Sequence, residues 1–168
     1  GYLLSSGEGH VNKYEPGGKT SVYLTNARSN GLLLDSQRRL VLCESSRRGG
    51  TPLAQDGSLT GLPSNYHGKK FNTPNDLTID SKGRIFFSDP RYGRRDDMEM
   101  RDDRGRLVEG VYRIDAPGRV TRVISDEVER PNGVFVSAGD EFLYVADNNN
   151  NTVGGARKLW RFHLLSDG

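Results

Sequence analysis

The sequence predicts an all-β fold that is built from a repeated unit of antiparallel strands. In this unit a polar stretch with an asparagine precedes a short apolar strand, a tight turn and a second apolar strand with an acidic end; the copies are residues 29–44, 73–90 and 131–147. The first two copies align without a gap, and the third needs one extra residue in its turn. The composition agrees, because 21 glycines and 7 prolines among 168 residues favour many short strands joined by turns.

A second type of hairpin follows the asparagine-headed one. Residues 11–18 and 111–118 each combine an apolar strand with a Pro-Gly turn. Proline presets the backbone of one turn residue, and glycine accepts a positive φ. Residues 159–164 begin another copy, and residues 52–57 form a weaker one. Together the two hairpins give four antiparallel strands, which make one blade of a β-propeller.

The order of the hairpins divides the chain into parts of a single domain. We predict a partial blade at 1–28, blades at 29–72 and 73–130, and a partial blade at 131–168. This is about three blades, whereas propellers close with about 4 to 8. We therefore expect the remaining blades to come from the same longer chain or from another copy of it.

Charge and hydropathy exclude several classes of function. The net charge is +2, with 24 basic and 22 acidic residues interleaved, so no basic surface for nucleic acid is expected. No apolar run approaches the ~18 residues of a membrane helix, and no signal-peptide pattern is visible. We expect a soluble protein; a cytoplasmic, periplasmic or secreted location stays open. Cys43 is the single cysteine, which excludes an internal disulfide and a thiolate zinc cage.

The asparagines at the head of each repeat are the candidate site residues. Asn30, Asn75 and Asn132 occupy the same place in three successive units. The innermost strand of a propeller blade lines the central channel, so these amides are expected to face one mouth of the channel. Amide oxygens are hard donors that suit Ca²⁺ or Mg²⁺. The alternative is that each asparagine serves a turn, because Asn-Gly and Asn-Asp are common turn dipeptides.

Two segments interrupt the repeat. Residues 45–50 are a polar, glycine-rich loop, and residues 91–110 are a longer charged insertion that begins beside Tyr92. Long loops within compact domains are uncommon unless they are functional or disordered. The insertion is therefore either a solvated charged loop or a lid at the rim of a site.

The combination of motifs resembles the gluconolactonase/regucalcin (senescence-marker-protein) family. The resemblance implies a six-bladed propeller that hydrolyses sugar lactones with a divalent cation, most often Ca²⁺, with Zn²⁺, Mg²⁺ and Mn²⁺ also possible. Some relatives cleave organophosphates. The matching segments are Phe71-Asn72-Thr73-Pro74-Asn75-Asp76-Leu77, Phe86-Phe87-Ser88-Asp89-Pro90-Arg91-Tyr92-Gly93, Arg130-Pro131-Asn132-Gly133-Val134 and Leu143-Tyr144-Val145-Ala146-Asp147.

The resemblance also implies roles for individual residues. Asn132 matches a metal-binding asparagine, and Asn75 matches one that binds metal in some relatives and substrate in others. Asp76, its neighbour, is the available proton acceptor. From their own positions, at the head of a repeat and at the start of the long insertion, Asn30 and Tyr92 are expected to bind substrate. The family also uses a glutamate in a Glu-Gly-Pro setting and an aspartate in a Pro-Asp-Gly setting, and this sequence has neither. We expect both to lie outside these 168 residues.

In the mechanism that the resemblance implies, the cation polarises the lactone carbonyl and a carboxylate takes a proton from the attacking water. Two neutral amides alone should hold Ca²⁺ weakly. We therefore expect the 168 residues to be inactive by themselves and the complete chain to be a lactonase. Two alternatives stay open: a non-catalytic propeller that binds a ligand or partner, and a related hydrolase of organophosphates or esters.

Overall fold

The computed structural model describes residues 2–5, 9–44, 62–150 and 152–167 and confirms an all-β fold. Among these residues the helical content is one 3₁₀ turn at Ala138–Asp140, so no helix is long enough to cross a membrane. In chain order the strands are β1 (Tyr2–Ser5), β2 (Val11–Glu15), β3 (Lys19–Leu24), β4 (Ser29–Leu34), β5 (Leu40–Glu44), β6 (Asn65–Tyr66), β7 (Lys69–Lys70), β8 (Leu77–Ile79), β9 (Ile85–Asp89), β10 (Gly110–Ala116), β11 (Arg119–Ile124), β12 (Pro131–Val136), β13 (Phe142–Asn148) and β14 (Arg157–His163).

One sheet shows the predicted four-stranded unit complete. Its strands lie in the order β11-β10-β9-β8, so each strand pairs antiparallel with its neighbour in the chain. Strands β1-β2-β3 and β12-β13-β14 form three-stranded sheets of the same type, while β4-β5 and β6-β7 pair as hairpins. The expected loop at 45–50 and outer hairpin at 52–57 lie outside the described residues, so the blade boundaries stay predictions.

The first strands of three successive sheets, β4, β8 and β12, lie beside one another. Gly31 in β4 donates its N–H to the carbonyl of Asn75 at 2.7 Å, and Val136 in β12 donates to the hydroxyl of Thr78 at 3.3 Å. Gly31 permits this approach because a Cβ there would lie only 2.9 Å from the Asn75 carbonyl oxygen. The starts of these strands therefore meet at one end, as blades around an axis require.

Two hydrophobic clusters fill the space on either side of the complete sheet. Phe87 packs in the cluster that includes β5, and Phe86 packs in the cluster that includes β12 and β13. Successive residues of a strand point to opposite faces, so one strand serves both clusters. The ring of Phe71 meets those of Phe87 and Tyr112 edge-on, with centroids 5.1 and 5.0 Å apart. Trp160 packs against the second cluster.

Two buried aspartates at the end of a second strand accept hydrogen bonds from the segment that precedes the first strand of the same sheet. Asp89 accepts the N–H of Asn72 at 2.8 Å, and Asp147 accepts those of Glu129 and Arg130 at 3.0 and 3.1 Å. The second strand of a hairpin ends beside the start of the first, so the nearest free N–H groups belong to the segment that precedes the hairpin.

One turn geometry recurs at Asp35, Asp80 and Asp102. Each carboxylate accepts the N–H groups of the residues two and four positions further on, and also the Nε–H of the arginine at the latter position. Such side-chain-to-backbone bonds are what favour aspartate in turns. The turns at Asp35 and Asp80 occupy equivalent positions in the first two sequence repeats, and the turn at Asp102 lies within the charged insertion.

The charged insertion is anchored to the core. Met98 and Met100 are buried, and Arg101 and Leu107 form a β-bridge around the turn. The interpretation of residues 91–110 as a solvated loop is therefore wrong for the part that contains these methionines, because both are buried and Met100 packs in the hydrophobic cluster of β5 and β9. Because the surrounding residues are charged, the sequence did not indicate that Met98 and Met100 are core residues.

Candidate functional site

The repeated asparagines lie at one end of the three neighbouring first strands. Asn30 and Asn132 are the second residues of β4 and β12, and Asn75 precedes β8. Ser88 joins two of them, because its carbonyl accepts the N–H of Asn75 at 3.0 Å and its hydroxyl donates to the Asn132 carbonyl. The Asn30 side chain is exposed, and the N–H of the following Gly31 bonds to Asn75. The structure thus gathers the predicted asparagines at one end of the three strands; their roles stay predictions.

Asp76 lies between the flanking first strands. Its Oδ2 accepts the N–H of Val134 in β12 at 3.0 Å, and its own N–H is bonded to the Ser88 hydroxyl at 3.1 Å. Its Oδ1 lies 3.0 Å from where a Cβ of Gly31 in β4 would be. No donor among the described residues reaches Oδ1. The backbone therefore fixes the direction of this carboxylate and leaves one oxygen open.

Tyr92 reaches from the start of the charged insertion to the predicted metal ligand. Its phenolic oxygen accepts the Nδ2–H of Asn132 at 2.6 Å and that of Asn148 at 3.2 Å. The guanidinium carbon of Arg130 lies 5.3 Å from the centroid of the Tyr92 ring, within the range of a cation–π contact. The sequence analysis did not predict a role for Asn148. Its position at the end of β13, opposite the start of β12, could have indicated that it lies near Asn132.

A buried ion pair lies behind Tyr92. Glu109 accepts Nε–H of Arg130 at 3.1 Å, and the two side chains are only 2% and 5% exposed. Glu109 also accepts the N–H of Arg91 at 2.7 Å and is paired with Arg95. This carboxylate therefore fastens the beginning of the insertion to the strand that carries Asn132. Sequence reasoning missed the pair, because the insertion contains many charges and nothing local distinguishes these.

Cys43 is buried in β5, within reach of the charges of two carboxylates. Complete burial raises the pKa of the Cys43 thiol well above its ordinary value, and the charges of Asp76 and Asp89 add to the rise. Burial likewise raises the pKa of the Tyr112 hydroxyl, and Asp89 contributes there too. A thiol held protonated in this way is a poor nucleophile.

Alkaline pH is expected to reduce stability through Cys43. The folded chain holds the thiol proton more tightly than the unfolded chain, so this contribution is complete below about pH 8.5 and is lost as the pH rises towards the folded pKa. The free energy of unfolding should fall by at most about 1.4 kcal/mol per pH unit in this range. Urea unfolding between about pH 8.5 and 10 measures this slope, since Tyr112 adds its own loss only above about pH 10. The slope should become shallower in Cys43→Ala, and an equal slope in both proteins would contradict the assignment.

The donors at the channel mouth fit part of the shell of a hard cation. Among the described residues, neither the side-chain amide of Asn75 nor Oδ1 of Asn132 has a hydrogen-bond partner. Oδ1 of Asp76 likewise accepts no hydrogen bond from a described residue. Amide and carboxylate oxygens are the ligands that Ca²⁺ and Mg²⁺ prefer. The described ranges hold no cluster of three or more His, Cys, Asp or Glu side chains suited to a metal. Because one carboxylate and two amides bind weakly, further charged ligands are needed.

The fold and the site define a propeller-type protein with open oxygen donors at one end of its first strands. Residues 6–164 match the family model "SMP-30/Gluconolactonase/LRE-like region", and the chain belongs to this family.

Three relatives illustrate the similarity. A gluconolactonase of Zymomonas mobilis is 29% identical over 143 residues, which are 83% of this chain and 38% of that protein. The adipocyte plasma membrane-associated protein of Mus musculus is 35% identical over 108 residues, 60% of this chain and 24% of that protein. A solved gluconolactonase structure from Xanthomonas campestris superposes with a TM-score of 0.80 at 30% identity, covering 98% of this chain and 54% of that one. The chain thus spans about half or less of these relatives.

Proposed function

We propose that the complete protein hydrolyses sugar lactones with the help of a divalent cation, and that this cation is Ca²⁺, which prefers oxygen donors. Membership of the gluconolactonase-like family supports lactone hydrolysis. The observation that carries the proposal is that Ser88 links the backbones of Asn75 and Asn132 and that Asp76 accepts the N–H of Val134, which brings the three residues together at the starts of β8 and β12.

In the proposed reaction, water adds to the lactone carbonyl carbon, the ring C–O bond breaks, and the ring oxygen takes a proton to give a hydroxy acid. A bound cation supplies polarisation of the carbonyl and stabilisation of the oxyanion. Asn75 and Asn132 offer amide oxygens to that cation. The exposed Asn30 offers hydrogen bonds to the hydroxyl groups of the sugar.

Asp76 is the carboxylate that this chain contributes to the proposed site. Val134 holds one oxygen, which leaves Oδ1 to accept a proton from the attacking water. A second carboxylate from outside these residues, as the family resemblance implies, is expected to share or take over this step.

Removal of the cation tests the proposal. The complete protein, stripped with excess chelator, is assayed with gluconolactone in a pH-stat, which records the acid that hydrolysis releases. Activity above the spontaneous rate should disappear with chelator and return when Ca²⁺, Mg²⁺, Mn²⁺ or Zn²⁺ is restored, Ca²⁺ being the most effective. Activity that persists in chelator would refute the role of the cation. An absence of hydrolysis under every condition would favour a non-catalytic binding protein.

A further inference from the structure

We propose that Tyr92 is a positioning residue, whose hydroxyl orients the Asn132 amide so that Oδ1 faces the cation. The inference rests on the proposed function and adds to it a second layer of residues around the metal ligand. In the sequence Tyr92 was expected to bind substrate. The structure places its hydroxyl on two asparagines, Asn132 and Asn148, and the substrate role stays a prediction.

The argument starts from the geometry of the amide. Oδ1 and Nδ2 lie on opposite sides of Cγ in one plane, so a bond that fixes Nδ2 also fixes the direction of Oδ1. The Nδ2 of Asn132 lies 2.6 Å from the Tyr92 hydroxyl, and no described donor reaches its Oδ1. An amide that presents its oxygen to a cation needs an acceptor on its nitrogen side, and the phenolic oxygen is that acceptor.

Asn148 limits the hydrogen bonds that the Tyr92 hydroxyl can make. A phenolic oxygen has two lone pairs and one proton. The Nδ2 of Asn148, at 3.2 Å, takes one lone pair, and Asn132 takes the other. The two asparagines thus approach the same oxygen from the first and second strands of one sheet. Their shared acceptor couples the predicted ligand on β12 to the end of β13.

The buried ion pair in turn fixes Tyr92. The Arg130 guanidinium lies over the Tyr92 ring, and Glu109 holds both that guanidinium and the N–H of Arg91, the residue next to Tyr92. Ring and backbone are therefore anchored to one buried carboxylate. Partners that lie behind a metal ligand commonly contribute about 10- to 100-fold to metal affinity or activity. The start of the insertion acts here as a support for the ligand.

Calorimetric titration of the complete protein with Ca²⁺ alone tests the proposal. Tyr92→Phe removes the hydroxyl and keeps the ring over Arg130; its Ca²⁺ affinity should fall about 10-fold or more. In an Asn132→Ala background the same change should have no further effect, because the residue through which Tyr92 acts is gone. Tyr144→Phe is the matched control, since no hydrogen bond to the Tyr144 hydroxyl is found among the described residues, and it should bind as the parent does.

A second readout needs no cation and no activity. With ¹⁵N-labelled asparagine, the side-chain amide signals of Asn132 and Asn148 should both shift in cation-free Tyr92→Phe and remain unchanged in Tyr144→Phe. Unaltered signals, or equal Ca²⁺ affinity in Tyr92→Phe and the parent, would overturn the positioning role. An additive effect of the two substitutions would overturn it as well. Ca²⁺ binding without any lactone hydrolysis in the pH-stat would overturn the proposed function alone.

Discussion

Asn132→Ala is expected to lower kcat/KM for lactone hydrolysis by about 100-fold or more, with a parallel loss of Ca²⁺ affinity. Removing one group that stabilises the developing oxyanion, directly or through a metal, typically costs about 10²- to 10³-fold. The substitution deletes Oδ1, whereas the backbone carbonyl of Asn132 still accepts the hydrogen bond of Ser88. The start of β12 should therefore keep its place, and the free energy of unfolding should change little.

In the same assay, Asn132→Asp distinguishes the contribution of the side-chain oxygen of Asn132 from that of its NH₂ group. The variant keeps an oxygen ligand and adds a negative charge, which favours Ca²⁺. It also loses the Nδ2–H that Tyr92 accepts. We expect Ca²⁺ binding to be retained and kcat/KM to lie between those of the parent and Asn132→Ala. Asn12→Ala, in the middle strand of the β1-β2-β3 sheet, is the control and should be fully active. Full activity of Asn132→Ala would contradict the proposed site.

The convergence of the three asparagines could be predicted because it depends on regular structure. Asn30, Asn75 and Asn132 hold equivalent places in units with the same strand pattern, and equivalent places in neighbouring sheets lie around one axis. The hydrophobic strands were visible for the same reason, since alternation along a strand assigns Phe86 and Phe87 to opposite faces.

The contacts that depend on loop conformation could not be predicted. Tyr92 and Asn132 are 40 positions apart, and their bond depends on how the insertion folds back. The insertion is strongly charged, so nothing local marked Met98 and Met100 as core residues. Asn148 belongs to a run of asparagines whose members are distinguished only by where β13 ends. Periodicity fixes which face a strand residue occupies, but it carries no information on the path of an irregular segment.

Glu109→Ala is expected to destabilise the fold by about 3–5 kcal/mol. The change leaves the buried Arg130 guanidinium without its carboxylate, and it also removes the acceptor of the Arg91 N–H and of Arg95. Taking away one partner of a buried pair costs more than the pair itself contributes, because an uncompensated charge stays in a medium of low dielectric constant. Urea denaturation, followed by the fluorescence of Trp160, measures the loss. Glu141→Ala, at an exposed position, should change stability by less than about 0.5 kcal/mol.

The double variant Glu109→Leu with Arg130→Met distinguishes the cost of an unpaired charge from the value of the pair. Replacing a buried ion pair with apolar residues of similar volume is often neutral or stabilising, so the double variant should be more stable than Glu109→Ala. Arg130 Nη1 has no hydrogen-bond partner among the described residues, so the pair is incompletely satisfied. The double variant nevertheless loses the guanidinium over Tyr92, and its Ca²⁺ affinity should fall as in Tyr92→Phe. A double variant as unstable as Glu109→Ala would show that packing, rather than charge, determines the loss.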